Sequence, residues 1–547
     1  MRDDAVRVGS RQQLFLDDHV VDRMDGVGRQ VHRPRRHPAN PVLKPDRPWE
    51  VGGGGTYLYG GTVLFDEEDD LFKMWYRVAE APVQGRDGQW HQPSGSYRAC
   101  YAVSVDGINW EKPVLGSREF DGSTANNLLP PAEGGEEQLR RPNLIKDYAE
   151  PDARQRYKML YMDDFGGQWG LSKAYSADGI HWNMNVGDRQ VFEQGIAPNG
   201  VLFGWDEGNR EFVHYHRKGG GNRERVDVDG RSVRRKHAVM RTSSPDFETW
   251  GDTTEVLRRG EADSPLWSPS HGMDLAGMQY TEDIYVGVID TCTAFHVEDQ
   301  PYDVSAEEWR VYSHMFAEYR TELVYSRDNR NWERLWPGWE FFPRAQWRAW
   351  DDKTIGMDRP IVYDDQILWY YCGNNLPLGV NTPDHPLYEL QGQVVHGEYM
   401  GYSIGVATMR LDGFVSMDGH EPGGTLATRP LVFEGDRLVL NVRAPEKPFG
   451  SESSAGGPFA RLDVEVLDVA GRPIDGYGAE ECDTFTGDDL RHVATWRGNQ
   501  DLGRLAGTPI RLRFHLRNAA LYSFQFKGER DAPGQINLMA PGARGRP

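Results

Sequence analysis

The chain has 547 residues, with 62 Lys and Arg against 83 Asp and Glu, a formal net charge of -21. That balance excludes a nucleic-acid role, because phosphate binding needs a basic face. No run of about 18 apolar residues is present, so no membrane-spanning helix is expected. The first residues, MRDDAVRVGSRQQLFLDD, lack the apolar core of a secretory signal, and a cytoplasmic location is the expectation.

The opening stretch, Met1 to Ala39, reads as a rim or ring-closing segment ahead of the first repeat. From there one phrase recurs. It is SVDGINW at Ser104–Trp110, SADGIHW at Ser176–Trp182, SPDFETW at Ser244–Trp250 and SRDNRNW at Ser326–Trp332. A fifth version, MRLDGFVSM at Met409–Met417, keeps Asp412 and Gly413 without the tryptophan. A period this long marks stacked supersecondary units. Ahead of each turn stand two apolar runs joined by a tight acidic turn, such as GTVLFDEEDDLFKMWYRV from Gly61 to Val78. Strand, turn, strand and a third alternating strand make an antiparallel meander. Five meanders arranged radially predict a five-bladed β-propeller over residues 40–418. The Asp of each turn (Asp106, Asp178, Asp246, Asp328 and Asp412) reads as structural, since Asp accepts the amides of its own turn.

Long insertions, Glu80–Tyr97, Lys218–Lys236, Cys292–Tyr319 and Asn374–Tyr399, separate the second and third strands. These, or the C-terminal domain, are the expected surfaces for a homo-oligomer contact. The basic stretch from Lys218 reads as a solvated flap. After Met417 the repeat stops, and alternating segments predict an antiparallel β-sandwich over residues 419–526. The remainder, 527–547, is rich in Gly, Pro and Arg and reads as a disordered tail. The expected fold class is therefore all-β, a five-bladed propeller followed by a sandwich. Cys100, Cys292, Cys372 and Cys482 lack metal-ligand spacing, which predicts free thiols.

In such a ring the residues just before each innermost strand converge on one funnel. Blade one offers Trp49, Glu50 and Tyr59; blade two Arg141 and Asn143; blade three Asn199, with His214 and His216 on its second strand. Blade four offers His271, Asp274 and Glu322; blade five offers Asp352, Asp358 and Arg359. Several carboxylates with Arg, Asn and aromatics between them suit glycoside cleavage. One carboxylic acid protonates the leaving oxygen, and a second acts as nucleophile or activates water. Asp274 and Glu322 are the first candidates for that pair, Glu50 and Asp352 the next. Trp49, Tyr59, Arg141, Asn143, Asn199, His214, His216, His271, Asp358 and Arg359 are the expected sugar ligands. A hydrogen-bonding role is favoured for the two histidines over metal binding, and neither metal nor cofactor is expected. No Walker-type or GxGxxG text stands in a strand-to-helix context.

The repeat, the SxDGxxW turns, the segment PANPVLKPDRPWE and the trailing sandwich together resemble the five-bladed propeller glycosidases related to glycoside hydrolase families 32, 43 and 68. The resemblance implies a glycosidase acting on fructosides or other furanosides. The family 32 segments WMNDPNG, RDP and EC do not stand here intact. PDRPWE at Pro45–Glu50 holds the place of the first, and MDRP at Met357–Pro360 shares only composition with the second. No catalytic residue transfers by motif. The expectation is a glycoside hydrolase acting on a small carbohydrate. The alternatives are a glycoside phosphorylase, with phosphate held by Arg141 and Arg359, and a carbohydrate-binding propeller without catalysis.

Overall fold

The computed structural model describes residues 5–51, 56–79, 83–84, 90–91, 97–133, 143–164, 169–186, 191, 197–217, 225–228, 231–234, 238–258, 273–293, 318–376, 390, 392–395, 398–445 and 459–528. Regular structure among them is strand, apart from short 3-10 turns, and no helix among them is long and apolar enough to cross a membrane. The chain divides into two units. One comprises Met1–Arg33, Asp364–Gln366 and Met409–Leu538; the other comprises Pro34–Tyr363, Ile367–Thr408 and Met539–Pro547.

The larger unit contains five consecutive antiparallel sheets. Sheet one is Thr56–Asp66, Leu71–Ala79 and Tyr97–Ser104. Sheet two is Asn143–Lys146, Tyr157–Asp164, Trp169–Ser176 and Trp182–Asn183. Sheet three is Ala197–Asp206, Glu211–Arg217, Val239–Ser244 and Thr254–Leu257. Sheet four is Met273–Thr281, Ile284–Thr293, Glu318–Ser326 and Trp332–Arg334. Sheet five runs Thr354–Met357, Gln366–Asn374 and Tyr402–Arg410, and its outer strand is Arg35–Arg36 from the other end of the chain. Near-continuous apolar runs, such as Ile367–Cys372 in sheet five, leave both faces of a sheet apolar, so each must be covered by the next sheet. Trp75 and Tyr101 of sheet one pack with Leu144 and Tyr157 of sheet two. Ile145 and Leu160 meet Leu202 and Phe212 of sheet three, and Phe203 and Tyr215 meet Leu275 and Tyr285 of sheet four. Phe341, whose amide bonds Thr321 of sheet four, stacks edge-on against Trp369 of sheet five. Tyr370 and Ile404 of sheet five then pack with Val63 and Met74 of sheet one. The ring closes after five sheets, which is the topology of a five-bladed propeller.

The repeated phrase stitches these sheets. In copy one Ser104 Oγ donates to Asp106 Oδ1 (2.9 Å) and accepts the Gly107 amide (2.9 Å). Asp106 Oδ1 accepts the amides of Ile108 and Asn109 at 2.8 and 2.7 Å. Burial pushes this carboxyl up, but the two amide bonds outweigh it and hold it at about 2. The same bonds recur at Asp178, Asp246 and Asp328. The residue after each Asp is left-handed: Gly107, Gly179, Phe247 and Asn329 at φ +72°, +76°, +66° and +58°. An aromatic from the preceding sheet caps that residue. Tyr370 donates to the Gly107 carbonyl (2.8 Å) and Trp75 to the Gly179 carbonyl (2.6 Å).

The fifth copy departs from the expectation. Asp412 forms no such turn; it is buried in the smaller unit, where Gln12, Asn441 and Ser523 donate to its Oδ2. The third strand of sheet five runs on into that unit through Val415–Gly419. Of the opening stretch, Met1–Arg33 groups with the smaller unit and the residues from Pro34 onward with the larger. Among its described residues the smaller unit has two larger antiparallel sheets and a two-stranded parallel one, Val6–Gly9 with Leu431–Phe433. The two larger sheets meet through Phe514 of Arg511–Arg517 and Phe524 of Ala519–Lys527, with ring centroids 5.8 Å apart.

Candidate functional site

All five innermost strands start at one end of the ring and finish at the other, where the acidic hairpin turns lie. Arg359 locates the floor between those ends. It follows the inner strand of sheet five, and its guanidinium donates to the carbonyls of Leu144 in sheet two (3.0 Å) and of Leu202 and Phe203 in sheet three (3.1 and 3.4 Å). Sheets two and three are not neighbours of sheet five, so this side chain crosses the axis. The expected sugar ligand Arg359 is therefore buried and occupied by backbone carbonyls. Asp358 beside it is also built into the floor. Its Oδ1 accepts the Arg359 amide (2.8 Å), and its Oδ2 is without a donor among the described residues. Burial raises this carboxyl, with Arg359 only partly opposing.

Blade three contributes the histidines. His214 and His216 lie two residues apart on Glu211–Arg217, so both face the same way. Their rings stack at 5.7 Å, and both are buried. Burial pushes His214 well below the usual histidine range, and the adjacent His216 adds to it. His216 Nε2 is 3.1 Å from Thr242 Oγ1. Asn143, expected to bind sugar, donates its amide to the Gly200 carbonyl (2.6 Å) and so ties the inner strands of sheets two and three.

Two of the four expected catalytic carboxylates are saturated. Glu50 Oε2 accepts the amides of Asp46 and Arg47 at 2.9 and 3.1 Å and Lys112 Nζ at 2.7 Å, while Oε1 accepts Tyr76 Oη at 2.5 Å. A fully buried carboxylate with four donors anchors a loop. Trp49 beside it donates to Asn127 Oδ1 (2.7 Å) and packs edge-on against Phe120. Glu322 forms a two-point ion pair with Arg334 on the next strand, both contacts at 2.7 Å. The register separates it from Asp274 as well. Asp274 pairs with Asp290, and Asp290 pairs with Thr321, so those three share one cross-strand row. Glu322 is in the adjacent row, and adjacent residues of a strand alternate faces.

Asp352 is different. It sits just before the inner strand of sheet five, 8% exposed. Its Oδ2 accepts the Arg348 amide (2.7 Å) and Lys353 Nζ (3.0 Å), while its Oδ1 is buried without a donor among the described residues. Its neighbour Asp351 is committed to Arg36 (2.6 Å) and Tyr371 (3.0 Å). Asn374, across the sheet from Thr354, is fully buried, and its Nδ2 is likewise without an acceptor among the described residues.

Sequence reasoning passed over Asp290. It lies inside the second strand of sheet four, where its Oδ1 accepts Thr321 Oγ1 (2.8 Å) and its Oδ2 accepts the Met357 amide of sheet five (3.1 Å). A buried Asp in an otherwise apolar strand was the signal that could have found it. Arg141 and His271 lie outside the described residues. Tyr59, Asn199 and Asp274 are described in their backbones alone, on the inner strands of sheets one, three and four.

No family model matches the chain, and no curated protein matches it. Among solved structures it is similar to a glycosyl hydrolase from Bacteroides ovatus, at 13% identity and a TM-score of 0.41 over 70% of this chain and 94% of that one. It is similar to beta-1,2-mannobiose phosphorylase from Listeria innocua, at 13% identity and a TM-score of 0.41 over 70% and 97%. A third similar structure comes from work describing glycoside hydrolases within the GH130 family of mannoside phosphorylases. It shows 13% identity and a TM-score of 0.39 over 70% and 94%.

Proposed function

We propose that the chain is a glycoside-cleaving enzyme whose reacting carboxylates are Asp352 and Asp274, at the starts of the inner strands of sheets five and four. The observation that carries this reading is Asp352 Oδ1: a carboxylate oxygen held out of water, without a donor among the described residues, at the end of the ring where the inner strands begin. Glycoside cleavage needs two such groups on different elements, with room for the sugar between them. Asp290 braces the same row as Asp274 and is a positioning residue in this scheme. The substrate is a small oligosaccharide or simple glycoside. Kinship with glycoside hydrolase families 32, 43 and 68 is part of the proposal and rests on architecture.

Hydrolysis is favoured over phosphorolysis because Arg359, one of two arginines expected to hold phosphate, spends its guanidinium on three backbone carbonyls. The test is a screen of nitrophenyl furanosides and pyranosides and of disaccharides, with and without inorganic phosphate. Release of free sugar independent of phosphate is expected. Asp352→Asn and Asp274→Asn should each lower kcat by about 10²–10⁴-fold with folding intact by circular dichroism. Release of sugar 1-phosphate would move the chain to the phosphorylases. Full activity in both variants overturns the assignment, and saturable sugar binding with no product would make it a binding module.

A further inference from the structure

The stretch Pro343–Asp352, PRAQWRAWDD, carries two tryptophans with opposite fates. Trp350 stacks on Tyr371 with centroids 5.6 Å apart and fills the space over Gly373 and Gly405. Trp347 is 76% exposed, the most exposed large hydrophobic side chain among the described residues. An indole this exposed leaves one ring face open to a ligand.

Its surroundings are built. Lys353 Nζ lies 4.1 Å from the Trp347 ring centroid, a cation–π contact that covers part of the indole and fixes its attitude. The same ammonium pairs with Asp352 Oδ2 at 3.0 Å, so one cation links the indole to the carboxylate. The loop is closed on itself by amide bonds from Ala349 to the Gln346 carbonyl (2.9 Å) and from Asp352 to the Ala349 carbonyl (3.2 Å). Arg348, next to Trp347, is left-handed at φ +73° and is held there by its amide bond to Asp352 Oδ2 (2.7 Å). A non-glycine residue in that region is retained only where its surroundings over-determine it. The other oxygen, Asp352 Oδ1, has no donor among the described residues, and a sugar hydroxyl is the kind of donor it lacks.

We propose that Trp347 is a stacking platform for a sugar ring, oriented by Lys353 and set beside Asp352 as an outer subsite of the funnel. Sugar C–H bonds carry partial positive charge and lie flat on an electron-rich aromatic face, while a neighbouring carboxylate takes the ring hydroxyls. The ligand class is therefore an oligosaccharide of at least two units, one held at the carboxylates and the next on Trp347. This rests on the glycoside-cleaving reading above and adds to it where the second sugar lies.

The test is titration of the full chain with maltose, cellobiose, sucrose and β-1,2-mannobiose, followed by calorimetry and tryptophan fluorescence. For a disaccharide that the unaltered protein binds, Trp347→Ala should weaken binding about tenfold or more and Trp347→Phe by about threefold. Lys353→Met should weaken it and Lys353→Arg restore it, as expected of a positioning residue. Trp336→Ala is the control, because Trp336 is also exposed but stacks edge-on against Trp339. Equal affinity in Trp347→Ala and the unaltered protein overturns the platform. If Asp352→Asn and Asp274→Asn then still lose turnover, the glycoside reading survives without it. Failure of every disaccharide to bind the unaltered protein overturns the platform, and cleavage of a nitrophenyl monosaccharide in that case again leaves the glycoside reading standing.

Discussion

His214 shows how much a single buried side chain costs in this ring. Its imidazole is stacked on His216 and sealed from water, and both effects disfavour the charged form. The folded-state value lies well below the unfolded value of about 6.5. The unfolded chain therefore takes up a proton that the folded chain refuses, and stability is complete above about pH 6.5 and lost as the pH falls below it. The melting temperature should drop between pH 7.5 and 5.5, and His214→Gln should flatten that slope. Parallel slopes in the two proteins would show that His214 is not the group responsible. The funnel candidates make the same point about single residues. Glu50, Glu322 and Asp352 all read from the sequence as funnel carboxylates, and their partners separate them: four donors, one arginine fork, and a half-empty carboxylate.

At the scale of the element, the inner strand Ala197–Asp206 depends on Gly200. A Cβ there would sit 2.2 Å from the Tyr215 carbonyl and 2.5 Å from His214 Cε1. The nearest obstacle is backbone of the paired strand, so it cannot swing aside. Gly200→Ala should destabilise the protein by about 3 kcal/mol, read as a shift in the urea midpoint. A shift below about 1 kcal/mol would mean that the two strands part without loss. The repeated turn is the opposite case, an element that tolerates variation. Phe247 occupies the left-handed position that Gly107 and Gly179 fill without strain, at a typical cost of about 1–2 kcal/mol. It offsets that cost by packing between Tyr175, Phe212 and Trp250. The glycine of the motif can therefore be lost when a buried aromatic takes its place.

For the whole ring, closure depends on contacts between residues far apart in the chain. Arg36 supplies the outer strand of sheet five and reaches Asp351 at 2.6 Å and the Pro343 carbonyl at 2.8 Å. Arg359 ties sheet five to sheets two and three across the axis. Replacing it by Leu would strand three buried carbonyls and remove the cation facing Asp358. Arg359→Leu should cost about 3–5 kcal/mol, and proteolysis should then open the ring at temperatures where the unaltered protein resists. Wild-type resistance in that variant would show that the axis is held by apolar packing alone.

The sequence by itself determined the repeat, the strand pattern within it and the structural character of the Asp turns. Those follow from local chemistry: alternation of apolar residues, tight turns, and Asp accepting its own amides. Five copies of strand text also announced five sheets. What the tertiary structure decided was which carboxylate is spent and which is spare. A charge's role depends on the donors that meet it, and for Glu50, Glu322 and Asp352 these include a lysine sixty-two residues away, an arginine on the next strand and a lysine next in the chain. It also decided that the fifth copy is a link into the smaller unit, because Asp412 is bonded by Gln12 and Ser523, partners no local pattern could have shown.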